Sequence, residues 1–191
     1  MRYVAVALVM YVGVLVLLLF WKEGTPGLTM SLIKDGRLKL NLYTVLFILF
    51  FGIGYGAYYA TADMPIPMVA DCTDYETYRS GRYIPGVMGT LFSLVDKLVS
   101  SLASTVVGAA VAMIGLSTLP GGDTPYSPGM KTAVIVLFCL IPMIAWSLTL
   151  VAMKGYSLTG EEMRHIQEVN ARRKEAIAEG MELTEAMEKY R

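Results

Sequence analysis

MVADCTDYETYRSGRYIPGVMGTLFSLVDKLVSSLASTVVG, residues 68–108, is the stretch from which the rest of the chain is read. It opens polar, with Asp71, Asp74, Tyr75 and Tyr78 followed by Arg79 and Arg82. It then becomes a long apolar run with Asp96 and Lys97 in its middle. Hydrocarbon neither hydrogen-bonds nor screens charge, so ionisable groups in a run of membrane length are candidates for a functional site, the alternative being that each snorkels or pairs with another helix to satisfy itself. On a helix Asp96 and Lys97 point about 100° apart and do not stack. Ser93, Lys97 and Ser101 fall on one stripe, and Ser100, Ser104, Gly108 and Ala112 form a small-residue strip beside it. The run is expected to be a span with one face for lipid and one for protein or a polar cavity.

Composition extends this to the whole chain. Hydrophobic residues make up 55% and charged residues 17% of the sequence. The apolar residues are gathered into blocks at 3–21, 42–60, 86–116 and 132–153, each of a length that spans a bilayer as a helix. The expected fold is an all-α membrane protein: four transmembrane helices over 1–156 and a cytoplasmic helical tail over 157–191. With 16 basic and 16 acidic residues, the net charge gives no reason to expect a nucleic-acid partner. The lipid bilayer is the expected surrounding. Cys72 and Cys139 lack the spacing of a metal or redox pair, and Cys139 reads as a small core residue.

Tyr3 and Trp21 sit at the two ends of the first block, where interfacial aromatics belong. The block exceeds a signal-peptide core and no small-x-small cleavage site follows it, so a retained span is expected. Residues 22–41 form a polar connection whose Gly24, Pro26, Gly27 and Gly36 suit a turn or hairpin. The second block carries Gly52, Gly56 and Ala60 at four-residue spacing, a strip for close helix approach. Its Gly54-Tyr55-Gly56 is not an ion filter, because it lies inside a continuous apolar run. Residues 61–85 are expected to be a polar loop, with Pro65 and Pro67 ending the preceding helix. The third block is longer than a bilayer requires and should tilt or project. A turn-rich connection over 117–130 includes Pro120, Gly121, Gly122, Pro125, Pro128 and Gly129. Pro142 should kink the fourth block.

In the tail, Thr159 and Glu162 form a capping box that starts a helix. Glu168 with Arg172 and Glu185 with Lys189 are favourable pairs one turn apart. The Arg172–Lys174 cluster is expected to be a solvated helix face, with contact to anionic lipid heads as the alternative. His165, the sole histidine, is expected at the surface.

Four spans put both termini on one side. That side carries eight basic residues near the spans (Arg2, Arg79, Arg82, Lys154, Arg164, Arg172, Arg173 and Lys174) against five opposite (Lys22, Lys34, Arg37, Lys39 and Lys131). The positive-inside rule makes the first side cytoplasmic.

No Ser/His/Asp or Cys/His arrangement can be assembled, so no enzymatic hydrolysis is expected. Two carboxylates without a nearby histidine make a poor ligand set, and no metal site or organic cofactor is expected. Lys97, with Ser93 one turn before it and Asp96 beside it, is the candidate for a substrate or cation pathway. Asp71, Asp74, Tyr75, Tyr78, Arg79 and Arg82 are the candidates for a charge network that latches neighbouring helices.

Met68-Val69-Ala70-Asp71-Cys72-Thr73-Asp74-Tyr75, followed by Tyr78-Arg79-Ser80-Gly81, resembles the loop motif of the glycoside–pentoside–hexuronide:cation symporters. These are the melibiose-permease-like members of the major facilitator superfamily. Their motif reads approximately M-x-A-D-x-x-D-Y-G-E-[YW]-K-T-G-x-R and precedes a helix with a lysine, where Lys97 falls. The resemblance runs from about Gly52 to Glu175 and includes Tyr156-Ser157-Leu158-Thr159. It implies that the four spans are the last four of twelve, part of a C-terminal bundle. It also implies uptake of a sugar or glycoside coupled to sodium or protons across the cell membrane. Lys97 would then lie near the sugar and cation, and Asp71 and Asp74 in a cytoplasmic gate. Glu76, Thr77, Tyr83 and Pro85 depart from the family pattern, so that gate would be rewired. The N-terminal helices, where the family's cation-binding carboxylates reside, would be supplied by further sequence or a second chain, unless the chain is a degenerate remnant. From the residues alone the alternative is a non-transporting four-helix scaffold that self-associates through its two small-residue strips.

Overall fold

The computed structural model describes residues 1–30, 33–34, 37–38, 40–121 and 124–190. Gly36, Lys39 and Gly122, read above as turn and charge residues, lie outside the described residues. Among the described residues four helices are long and apolar enough to cross a membrane: Arg2–Phe20, Leu42–Tyr59, Pro85–Met113 and Pro128–Lys154. The chain is a multi-pass, all-α membrane protein. The first connection adds an antiparallel ladder of two residues a side, Ile33–Lys34 (β1) against Arg37–Leu38 (β2).

The chain divides into two compact units. The first comprises residues 1–62 and 103–153. Helix α1 (Arg2–Phe20) buries Val4, Ala7, Tyr11, Val14 and Leu18, a stripe with alternating steps of three and four. Helix α2 (Leu42–Tyr59) packs on it and is started by Asn41, whose side chain accepts from the Thr44 amide at 2.8 Å. The Asn41 amide in turn donates to the Pro26 and Thr29 carbonyls, which ties the preceding connection to the helix start. In hydrocarbon the packing of helices rests on close fit and hydrogen bonds, not on expulsion of water. Glycines supply the fit: a Cβ on Gly13 would meet the Phe50 ring at 3.0 Å, and one on Gly54 would meet Met10 and Tyr11 at 3.0 Å. Gly52 and Gly56, expected to be the approach strip, face open space, as does Gly108. The helical period explains this, because Gly54 lies about 200° round the helix from both neighbours.

The fourth span begins as α5 (Pro128–Val134), widens into a π turn over Ile135–Leu140 and continues as α6 (Ile141–Lys154). Pro142 has no N–H for the carbonyl four residues back, and the Ile141 amide reaches Val136, five residues back. The wider turn buries Cys139 completely. Trp146 meets the Tyr11 ring edge-on at 4.6 Å. At the other end of α1, Lys131 donates from Nζ to the Leu19 and Trp21 carbonyls, both at 2.9 Å. These are orphan acceptors at a helix C-terminus, where a cation also meets the negative end of the dipole.

The second unit comprises residues 63–102 and 154–191. Residues 65–80, expected to be a loop, form helix α3 (Pro65–Ser80). Helix α2 has already ended at Tyr59, and the two prolines expected to end it stand instead in the first turn of this helix. Pro65 is its first residue, and first-turn amides have no partner to lose. Gly81 closes it at φ +73°, a left-handed cap in which its amide donates to the Thr77 carbonyl. Helix α4 (Pro85–Met113) follows, with residues 85–102 in this unit and 103–113 in the first, and none of its residues is buried. Helix α7 (Gly160–Ala178) starts at Thr159 as expected, but without the capping-box hydrogen bond from that side chain. The short helix α8 (Leu183–Lys189) ends the described chain.

Candidate functional site

The polar motif at the head of the deciding stretch becomes a helix face. Asp71, Asp74 and Tyr78 stand at i, i+3 and i+7 on α3 and share one side. On α7 the buried stripe is Met163, Ile166, Val169, Arg173 and Ala176, with Gln167 and Asn170 at its margin. The two stripes meet. The Gln167 amide donates to the Asp74 carboxylate at 3.3 Å, and the Asn170 amide donates to the Asp74 carbonyl at 2.9 Å. One turn on, Arg173 donates from Nη1 to the Tyr78 carbonyl at 2.7 Å. The order of the pairs shows that α3 and α7 run in the same direction.

One turn earlier, Tyr156 donates its hydroxyl to the Asp71 carboxylate at 3.2 Å. Burial, the charge of Asp71 and this hydrogen bond push the phenol up to about 12. It remains a donor across all physiological pH. The His165 ring meets Tyr78 edge-on at 6.1 Å while remaining exposed.

The candidate residues therefore separate. Asp71, Asp74 and Tyr78 are brought onto the tail. Tyr75, Arg79 and Arg82 are exposed on the neighbouring side of α3 and beyond its cap. The arginine that meets Tyr78 is Arg173, which corrects the expectation of a solvated basic face: it is only 6% exposed. Its burial was foreshadowed by spacing, since residues 163, 166, 169, 173 and 176 keep a helical period with Arg173 in an otherwise apolar set. Gln167, Asn170 and Tyr156 carried no such signal. The Asn170 Oδ1 is buried and finds no donor among the described residues.

Ser93, Asp96 and Lys97 take no part in this latch. All three are exposed on α4, with Ser93 and Lys97 one turn apart on one face. Among the described residues no group of three or more His, Cys, Asp or Glu is poised for a metal.

The profile of the family described as MFS/sugar transport protein matches residues 1–160. A protein of Escherichia coli (strain K12) named "Putative glycoside/cation symporter YagG" is 25% identical over 99 residues, which is 52% of this chain and 21% of that protein. An uncharacterised 29.9 kDa protein of Pseudescherichia vulneris, from the crtE 3′ region, is 24% identical over 123 residues, which is 64% of this chain and 43% of that protein. The chain thus spans less than half the length of either relative. No solved structure matches it.

Proposed function

The chain belongs to the MFS/sugar transport protein family, and from that premise we propose that it is part of a secondary active transporter that carries a sugar or glycoside together with sodium or protons. The observation that carries the reading is α4: a membrane-length helix with Lys97 and Ser93 on one face and no residue buried. A lysine at that depth needs a polar cavity or a counter-charge. Helices outside this sequence would provide it, closing over α4 to complete a two-bundle carrier. Alternating access about a midplane site would then move the cargo. The four spans would be the last four of twelve, with the α3 motif, the tail and both termini in the cytoplasm of a cell-membrane protein. Asp71 and Asp74 on α3 would form part of the cytoplasmic gate, with Tyr75, Arg79 and Arg82 left exposed to meet the partner helices. The coupling ion would be the sole inorganic partner, and no covalent chemistry is assigned to the chain.

The test has two steps. The DNA upstream is read for about eight further spans, in frame or as an adjacent gene, by the count the resemblance implies. The completed transporter is then assayed in vesicles under a sodium or proton gradient. Coupled uptake that Lys97→Ala abolishes supports the reading. Uptake unchanged by that substitution removes the lysine from the pathway, and an unrelated gene upstream with no uptake removes the reading.

A second reading keeps one observation in its favour. Added Cβ atoms on Gly52, Gly56 and Gly108 would meet nothing within 4 Å, so these positions remain open for another helix. A non-transporting, self-associating scaffold would use them for copies of itself. Cysteine cross-linking between copies in membranes separates the two, since the transporter reading predicts a partner of different sequence.

A further inference from the structure

Arg173 is the one charged side chain buried among the described residues. A guanidinium does not shed its proton, so its burial requires acceptors. It finds two, from two different helices. Nη1 donates to the Tyr78 carbonyl at 2.7 Å, and Nε donates to the Tyr190 carbonyl at 2.8 Å. The guanidinium carbon also stands 5.1 Å from the centre of the Tyr78 ring. Tyr78 lies in the last turn of α3, which Gly81 caps, and Tyr190 is the C-terminal cap of α8. Both carbonyls are therefore among the acceptors that a helix end leaves unpaired, and both helix dipoles turn their negative ends to one cation. Helix α8 has seven residues, too short to persist without a tertiary anchor.

We infer that Arg173 is the positioning residue of a C-terminal strap: it pins the end of α8 and the last turn of α3 to α7 at once, and through Tyr78 it fixes how α3 presents Asp71 and Asp74. This rests on the reading of α3 as part of the gate only for its consequence in transport; the clamp itself stands apart from that reading. Lysine cannot replace it. Lys131 touches two carbonyls with one ammonium, but both belong to one helix end. The carbonyls at Arg173 come from separate helices and use two nitrogens of a rigid fork.

The full chain in lipid nanodiscs tests this without any transport assay. Amide exchange is followed at Gly81, which donates to Thr77, and at Tyr190, which donates to Ala186. Maleimide labelling of Cys72, half-buried on α3, reports the helix itself, and the buried Cys139 reports the integrity of the other unit. In Arg173→Lys and Arg173→Met both amides should exchange about tenfold faster, the scale of one lost hydrogen bond. Cys72 should label faster while Cys139 stays protected. Arg172→Met, at an exposed neighbour, should leave every readout unchanged. The inference is overturned if Arg173→Lys behaves as the parent chain, if only one of the two amides responds, or if Cys139 opens together with Cys72. None of these results depends on whether the completed protein transports, so clamp and transporter can fail separately.

Discussion

Gly54 lies against Tyr11 so closely that a Cβ on the glycine would stand 3.0 Å from the tyrosine ring. The same Cβ would meet the Met10 Cβ at 3.0 Å, an atom fixed to the helix backbone and unable to swing aside. Tyr11 in turn carries the contact to Trp146 at 4.6 Å, so the fit of α1 on α2 also seats the fourth span.

Gly54→Val should therefore cost about 1–3 kcal/mol through overpacking. Gly52→Val and Gly56→Val, which point to open space, should cost far less in the isolated chain. Thermal unfolding in matched detergent orders the three variants. Equal losses would show that the α1–α2 contact runs through a different face.

Lys131→Met removes the donor shared by the Leu19 and Trp21 carbonyls. Those carbonyls remain at the end of α1 with only solvent or lipid heads to satisfy them. A loss of about 1–3 kcal/mol is expected. Lys131→Arg, which keeps a cation at the helix end, should retain most of the stability. The same unfolding experiment reads both.

Tyr156→Phe should loosen the start of the tail by about 1 kcal/mol, the net worth of one hydrogen bond. The pH dependence follows from the direction of the shift. The phenol is raised from its ordinary 10.0 to about 12, so the folded protein prefers its neutral form. That contribution is complete below pH 10 and is lost as pH rises through about 12. Tyrosinate absorbance of the folded chain should contain a late component that Tyr156→Phe removes.

Gly81→Ala should destabilise the second unit twice over. The backbone at φ +73° disfavours any Cβ, at about 1 kcal/mol, and the new methyl would stand 2.7 Å from the Met187 sulfur on α8. Gly180→Ala, at φ +101° with nothing within 4 Å, should show the backbone cost alone. Proteolysis of the tail would rank the two. Equal sensitivity would mean that α8 does not rest on the Gly81 turn.

Much of the fold was legible because a bilayer imposes a blunt rule. A span must be long, apolar and helical, and those demands are written residue by residue in α1, α2, α4 and the fourth span. The disturbed hydrogen-bond ladder beside Pro142 is a π turn, since the missing donor is a property of proline itself. Residues 65–80 misled because prolines serve equally to stop one helix and to start the next. Only the left-handed Gly81 and the partner stripe on α7 select the second use. The glycine strip shows a related limit: spacing tells which glycines share a face, not which face meets a neighbour within the chain, and here that glycine is Gly54.

The candidate site divides along the same line. By itself the sequence determined the class of protein, the number of apolar spans and the motif that holds Asp71, Asp74 and Tyr78, because each depends on local residue type and period. Only the tertiary structure decided that this motif is a helix held to the tail, that Gly54 is the contact glycine, and that Arg173 is a buried clamp. Those depend on pairs far apart in the chain, such as Tyr78 with Arg173 and Tyr11 with Trp146. A guanidinium is written the same way in sequence whether water or two helix ends satisfy it. The choice is made by which carbonyls the fold leaves unpaired within its reach.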